Sequence, residues 1–111
     1  MPVTKDDHDY MKDYMATVEG TPDPIVQGVL LFFKNQFTNE RLDSLRTEIS
    51  NQQETGYSLE NTEKILDKYE LDDETSRQII ALLNKKFKEA IEKKELTSKK
   101  LAFIRSIKKK H

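Results

Sequence analysis

Asp23-Pro24-Ile25-Val26-Gln27-Gly28-Val29-Leu30-Leu31-Phe32-Phe33-Lys34-Asn35-Gln36-Phe37 contains the most apolar stretch of the chain. Asp23 is a good N-cap, and Pro24 suits the first helical position, where its missing N–H is no loss. Ile25, Val26, Val29, Leu30, Leu31, Phe32, Phe33 and Phe37 then cover nearly the whole circumference of a helix running to about Gln36. A helix apolar on every side is one surrounded by others. This segment therefore predicts an all-α fold, a compact bundle of five to six helices around a central apolar helix at about 24–36. Its apolar run, Ile25 to Phe33, is interrupted by Gln27 and reaches only half of the roughly 18 residues that a membrane span needs. Gly28 costs about 1 kcal/mol relative to Ala inside a helix, which points to a close helix crossing there.

Toward the N-terminus, Tyr10, Met11, Tyr14, Met15 and Val18 fall on one arc of a helix expected from about Asp6 to Glu19. Thr4 and Asp7 have the spacing of a capping box, and Gly20 to Pro24 end the helix. Toward the C-terminus, Thr38 caps a third helix reaching about Gln53, with Leu42, Leu45 and Ile49 as a narrow stripe. Gly56 breaks the chain, and Ser58 caps a fourth helix ending near Tyr69. Leu71-Asp72-Asp73 is a second boundary with an aspartate as N-cap, and a fifth helix follows, about Asp73 to Lys94, whose Ile79, Ile80, Leu83, Phe87, Ala90 and Ile91 form a broad apolar face. Thr97 is expected to cap a sixth, Ser98 to about Lys110. Val, Ile and Thr nowhere alternate with polar residues over the length of a strand. The 111 residues suffice for one helical domain, 1–111.

Phe37 to Thr47 aligns without gaps to Leu96 to Ser106. Both read as an apolar residue, a threonine cap, a basic residue before leucine, then an aliphatic residue before arginine. Shared capping chemistry is enough to produce this likeness, and a duplicated helical hairpin is the alternative.

The net charge of −1 conceals a strong asymmetry. From Met1 to Leu83, 8 Lys and Arg stand against 17 Asp and Glu, a balance of −9. From Asn84 to His111, 11 Lys and Arg stand against 3 Glu, a balance of +8. Charge segregation of this kind speaks of partners more than of fold. There is no cysteine, which removes disulfides and thiolate chemistry. The two histidines, His8 and His111, lie near opposite ends, and no glycine-rich phosphate loop occurs. Neighbouring Asp6, Asp7, His8 and Asp9 point in different directions on a helix and do not converge on one metal ion. Asp67 to Gln78 is acidic but lacks the central glycine and closing glutamate of a calcium-binding loop. A DNA-reading helix-turn-helix over Ile65 to Leu83 would present Asp72-Asp73-Glu74 to phosphate. No catalytic set, cofactor or metal is expected.

What remains is the basic end, where Lys99, Lys100, Phe103, Arg105, Lys108 and Lys109 are the expected partner-binding residues. The expected role is non-enzymatic binding of another protein with an acidic face. Nucleic acid, or an anionic membrane surface touched peripherally, is the runner-up. The −9 of the remainder opposes a duplex, and lysines encircle the last helix rather than lining one face. Homo-oligomerisation is open, through Leu42, Leu45 and Ile49 or through Leu101, Phe103, Ile104 and Ile107. No basic leader precedes an apolar run, so the default location is the cytoplasm. In size, helicity and charge the chain resembles, at the level of class, small bacterial or phage accessory proteins such as the bacteriocin immunity proteins. That resemblance implies an inhibitor-like, immunity or accessory role and carries over no individual residue.

Overall fold

The structure, a computed structural model, describes the backbone of residues 8–17 and 21–109, and side chains within that range up to Thr97. Every regular element among them is helical. Helix α1 is Tyr10–Thr17, α2 is Asp23–Leu31, α3 is Asn39–Ser50, α4 is Leu59–Lys68 and α5 is Asp73–Lys109, with a short 3-10 turn at Lys34–Gln36 between α2 and α3. The proposed Thr4 cap and the break at Gly20 lie outside the described residues.

Capping chemistry sets most of these boundaries. The Thr38 hydroxyl accepts from the Arg41 N–H at 3.2 Å and the Ser58 hydroxyl from the Asn61 N–H at 3.0 Å. Asp72 accepts from the Thr75 N–H at 3.2 Å. These are the orphan donors of a first helical turn, satisfied by side chains as expected. Asp9 caps α1 by accepting from the Lys12 N–H at 3.0 Å, and its second oxygen takes the Leu59 N–H, also at 3.0 Å, at the start of α4. Gly56 turns the chain at φ 95°, a conformation that glycine adopts without strain. Glu70, just beyond α4, takes φ 57° with a side chain attached.

Met11, Val26, Val29, Leu30, Phe33, Leu45, Ile49, Leu66, Ile79, Leu83 and Phe87 form one core. All five helices contribute to it. Helix α5 packs on α1, α2 and α4, while α2 packs on α3 and α5. At 1.5 Å per residue its 37 residues extend roughly 55 Å, against a longest molecular dimension of 61 Å.

Four expectations are corrected. Helix α2 is shorter than expected and is not wrapped on all sides, because Leu31 is 52% exposed and Phe32 72%. Gly28 marks no internal crossing: a Cβ placed there meets nothing within 4 Å among the described residues. Thr97 caps no sixth helix. Its hydroxyl donates to the Lys93 carbonyl at 2.9 Å, a bond made inside a continuous helix. The threonines of the two aligned segments thus do different work. Finally, Leu45 and Ile49 are fully buried and Leu42 half-buried, so that stripe belongs to the core and is not a face for a second copy.

A buried polar node joins three of the helices. The Gln52 side chain, 2% exposed, donates to the Ile49 carbonyl and to the Thr62 hydroxyl, and accepts from the Ser58 N–H. The Thr62 hydroxyl in turn donates to the Ser58 carbonyl at 2.8 Å and touches the Met11 sulfur. No buried side-chain polar atom among the described residues is left without a partner.

Candidate functional site

Two features stand apart from the packing. The first is the outer face of α2. Pro24, Gln27, Gly28, Leu31 and Phe32 are all exposed, and their spacing of three, one, three and one places them on a single helical stripe. None carries a charge. Beside this stripe an open groove of about 380 Å³ separates α2 from α5. Its apolar lining includes Ile25, Val29 and Phe32 on one side and Ala90 on the other, with Gly28 leaving room between them. Lys86 and Lys93 stand on the α5 side.

The one acidic residue of α2 is occupied elsewhere. Asp23 receives the Arg46 guanidinium through Nε at 2.9 Å and Nη2 at 2.6 Å, and the Ser50 hydroxyl at 2.8 Å. The guanidinium above all holds the Asp23 carboxyl below its ordinary range. This two-pronged contact fixes the start of α2 on α3. A second tie joins α3 to α4, where Glu48 accepts from Lys68 Nζ at 2.6 Å and from the Tyr69 hydroxyl at 2.5 Å. Lys68 first, then Tyr69, lowers the Glu48 pKa, while burial and the neighbouring carboxylate raise that of Tyr69. Arg41 adds a hydrogen bond to the Tyr69 carbonyl and lies 5.4 Å from the centre of its ring.

The second feature is the far half of α5. Among the described side chains of α5, Phe87 is the last in the core and Ile91 the last half-buried one, and Glu92 to Thr97 are exposed. The helix nevertheless runs to Lys109. Some lysines nearer the core have structural work. Lys94 donates to the Thr17 carbonyl at 3.0 Å at the end of α1, Lys88 lies 5.6 Å from the Tyr10 ring centre, and Lys86 approaches Glu89 at 3.5 Å. That part of the basic balance is thereby absorbed by the fold. Lys99, Lys100, Phe103, Arg105, Lys108 and Lys109 all fall on the α5 backbone beyond Thr97, past the range of described side chains. The structure gathers them on one helical segment and gives them no contact to compare with expectation. The apolar Leu101, Phe103, Ile104 and Ile107 lie in the same segment.

His8 and Asp13 pair at 2.6 Å. Among the described residues no three His, Cys, Asp or Glu side chains come together as a metal would require. None of the described helices is long and apolar enough to cross a membrane. Comparison with protein-family models, curated proteins and solved structures finds nothing that matches this chain.

The α2 stripe is the feature that sequence reasoning missed. Its signal was present in the spacing of Pro24, Gln27, Gly28, Leu31 and Phe32, but the more strongly apolar Val26, Val29, Leu30 and Phe33 masked it.

Proposed function

We propose that this chain acts by binding another protein, in the manner of a small inhibitor, immunity or accessory protein of the cytoplasm, and that the far half of α5 carries the contact. The observation that supports this is the continuation of α5 past Phe87, its last core residue among the described side chains. From Glu92 to Lys109 the helix runs for 18 residues, roughly 27 Å at 1.5 Å per residue. A helix extended beyond the core that stabilises it needs something else to bury its apolar residues. Leu96 is already 54% exposed. The lysines and Arg105 interleaved with Leu101, Phe103, Ile104 and Ile107 suit a partner surface that is acidic around an apolar centre. On this reading Lys99, Lys100, Arg105, Lys108 and Lys109 steer and orient, and Phe103 anchors. The chemistry asks for no cofactor and no catalytic group.

Reversal of charge tests it. With the chain as bait in an extract of its own cell, one specific acidic protein should be recovered. The triple variant Lys99→Glu, Lys100→Glu, Arg105→Glu should lose that protein while keeping its helical content. A complex that survives the triple reversal overturns the assignment of the contact to α5.

The +8 balance from Asn84 onward favours one second reading, binding to nucleic acid. That reading requires retention on heparin at low salt and affinity for a generic duplex that falls steeply between about 50 and 200 mM salt. Passage through heparin without retention eliminates it.

A further inference from the structure

The geometry points to an acidic amphipathic helix as the part of the partner that this chain grips. The inference rests on the protein-binding role proposed above and names the form in which the partner presents its acidic face. It starts from the continuity of α5, one helix from Asp73 to Lys109. Lys86 and Lys93 stand on the groove wall seven residues apart. Lys100 falls seven further along the same backbone. Seven residues make nearly two helical turns, so the three positions follow one line along α5, roughly 10 Å apart.

The other wall leaves these lysines unanswered. Pro24, Ile25, Val29 and Phe32 carry no charge, and Asp23 is held by Arg46 and Ser50. Glu89 is the one carboxylate on the groove, and it meets Lys86 at 3.5 Å with both side chains well exposed. So long and so solvated a pair contributes little, and Lys86 keeps donors for a second carboxylate. Apolar surface stands open at both ends of the line. Phe32, on the groove, is 72% exposed, and Leu96, three residues past Lys93, is 54% exposed.

Helix direction fixes the length of the occupant. Gln36, just past α2, accepts from the Thr75 hydroxyl in the first turn of α5 at 3.2 Å. Helix α2 therefore runs antiparallel to α5, and the groove opens toward the far half of α5. From Lys86 to Lys100 the line is roughly 21 Å long, which a helix of about 15 residues spans. A helix lying along it turns the same side to α5 every seven residues. Carboxylates at that spacing meet the lysines, while apolar neighbours enter the groove. A second copy answers this line with neither wall of its own groove, since its α2 is uncharged there and its α5 sets lysine against lysine.

Titration of the isotope-labelled full chain with a synthetic helical peptide of about 20 residues tests the inference by nuclear magnetic resonance. The peptide carries leucine and glutamate each at every seventh position, with alanine and glutamine between them. Up to about 1 mM peptide, amide signals of Ile25, Phe32, Ala90 and Lys93 should shift and saturate. A peptide with lysine in place of glutamate should leave them where they are. Lys93→Glu and Phe32→Ala should each weaken binding by about tenfold. Both should keep the far-ultraviolet helical signal, which distinguishes loss of binding from loss of folding. Unmoved signals at that concentration, or equal affinity for the lysine peptide, overturn the inference. Movement of the same signals with protein concentration alone gives the groove to a second copy and overturns it too. The protein-binding role stands or falls separately, on whether the triple reversal at Lys99, Lys100 and Arg105 removes the acidic protein recovered from the extract.

Discussion

Glu70 shows how much one dihedral angle can cost. Its φ of 57° places a side chain in the left-handed region, where Cβ crowds the following carbonyl. The position follows the Tyr69 C-cap of α4, where helices commonly end on glycine. Glu70 is exposed, and its strain serves no contact described for it. Glu70→Gly should therefore raise stability by about 1 kcal/mol, read as a higher urea midpoint with an unchanged slope. Gln52 teaches the opposite lesson. From sequence it reads as a polar loop residue beside Gln53, yet it is the buried hub to which Ile49, Ser58 and Thr62 bond. No local pattern reveals this, because its partners come from the end of α3, the N-cap of α4 and α4 itself. Asn84 was equally hidden, a polar position on an amphipathic helix that bonds the chain near its start.

At the scale of elements, the boundaries legible in sequence were those with a dedicated cap. Thr38, Ser58 and Asp72 each accept a first-turn N–H, and Gly56 marks the break before α4. Thr97 was misread because a threonine hydroxyl serves equally as acceptor at a helix start and as donor to a carbonyl four residues back. What separates the two sites is the backbone before them. Phe37 is extended, with φ −133° and ψ 152°, whereas nothing near Thr97 breaks the helix. Thr97→Pro should consequently reduce helical ellipticity at 222 nm, through a penalty of about 3 kcal/mol at that position. The thermal midpoint of the body should stay nearly unchanged, since Thr97 lies ten residues past Phe87 and follows the exposed Leu96.

The helix junctions also carry a pH dependence. Arg46 lowers the Asp23 pKa, Lys68 and Tyr69 lower that of Glu48, and Thr75 lowers that of Asp72, from ordinary values of 3.8, 4.5 and 3.8. Each depressed carboxyl stabilises the fold fully above its unfolded value, and the contribution is lost as pH falls through the folded one. The three groups should leave stability flat between pH 7 and about 5.5 and withdraw it below about pH 4.5. All three are partly or largely solvent-exposed, so the loss per group is modest. Asp23→Asn should lower the urea midpoint at pH 7 and flatten its decline toward pH 3. An equally steep decline in the variant would remove Asp23 from this account.

Across the whole molecule, the chain has its central helix in an unexpected place. Apolar content nominated α2, but α5 touches α1, α2 and α4, and α2 keeps one side toward solvent. Content says how much surface must be buried, whereas position in the bundle depends on which faces meet. The all-α class followed from periodicity and capping alone. The two candidate surfaces differ in how they could be read. Charge balance announced the α5 segment, while the α2 stripe emerged only when its companions on the other faces were seen buried.

Asn84 has a consequence for the order in which the molecule is assembled. Its amide donates to the His8 carbonyl and accepts from the Tyr10 N–H, both at 2.8 Å, across 76 and 74 positions of sequence. Helix α1 has eight residues, too few to persist alone in water. Its packing is chiefly on α5, so it must wait for the chain beyond residue 84 before most of its docking surface exists, and closing so long a loop is entropically slow. On the ribosome α1 is thus synthesised well before it can be secured. In the finished protein it should also be the first to come away. Hydrogen exchange should show α1 amides opening at lower free energy than those of α3 and the core-facing half of α5. Asn84→Ala should widen that gap, and equal protection in all three helices would show that α1 does not open on its own.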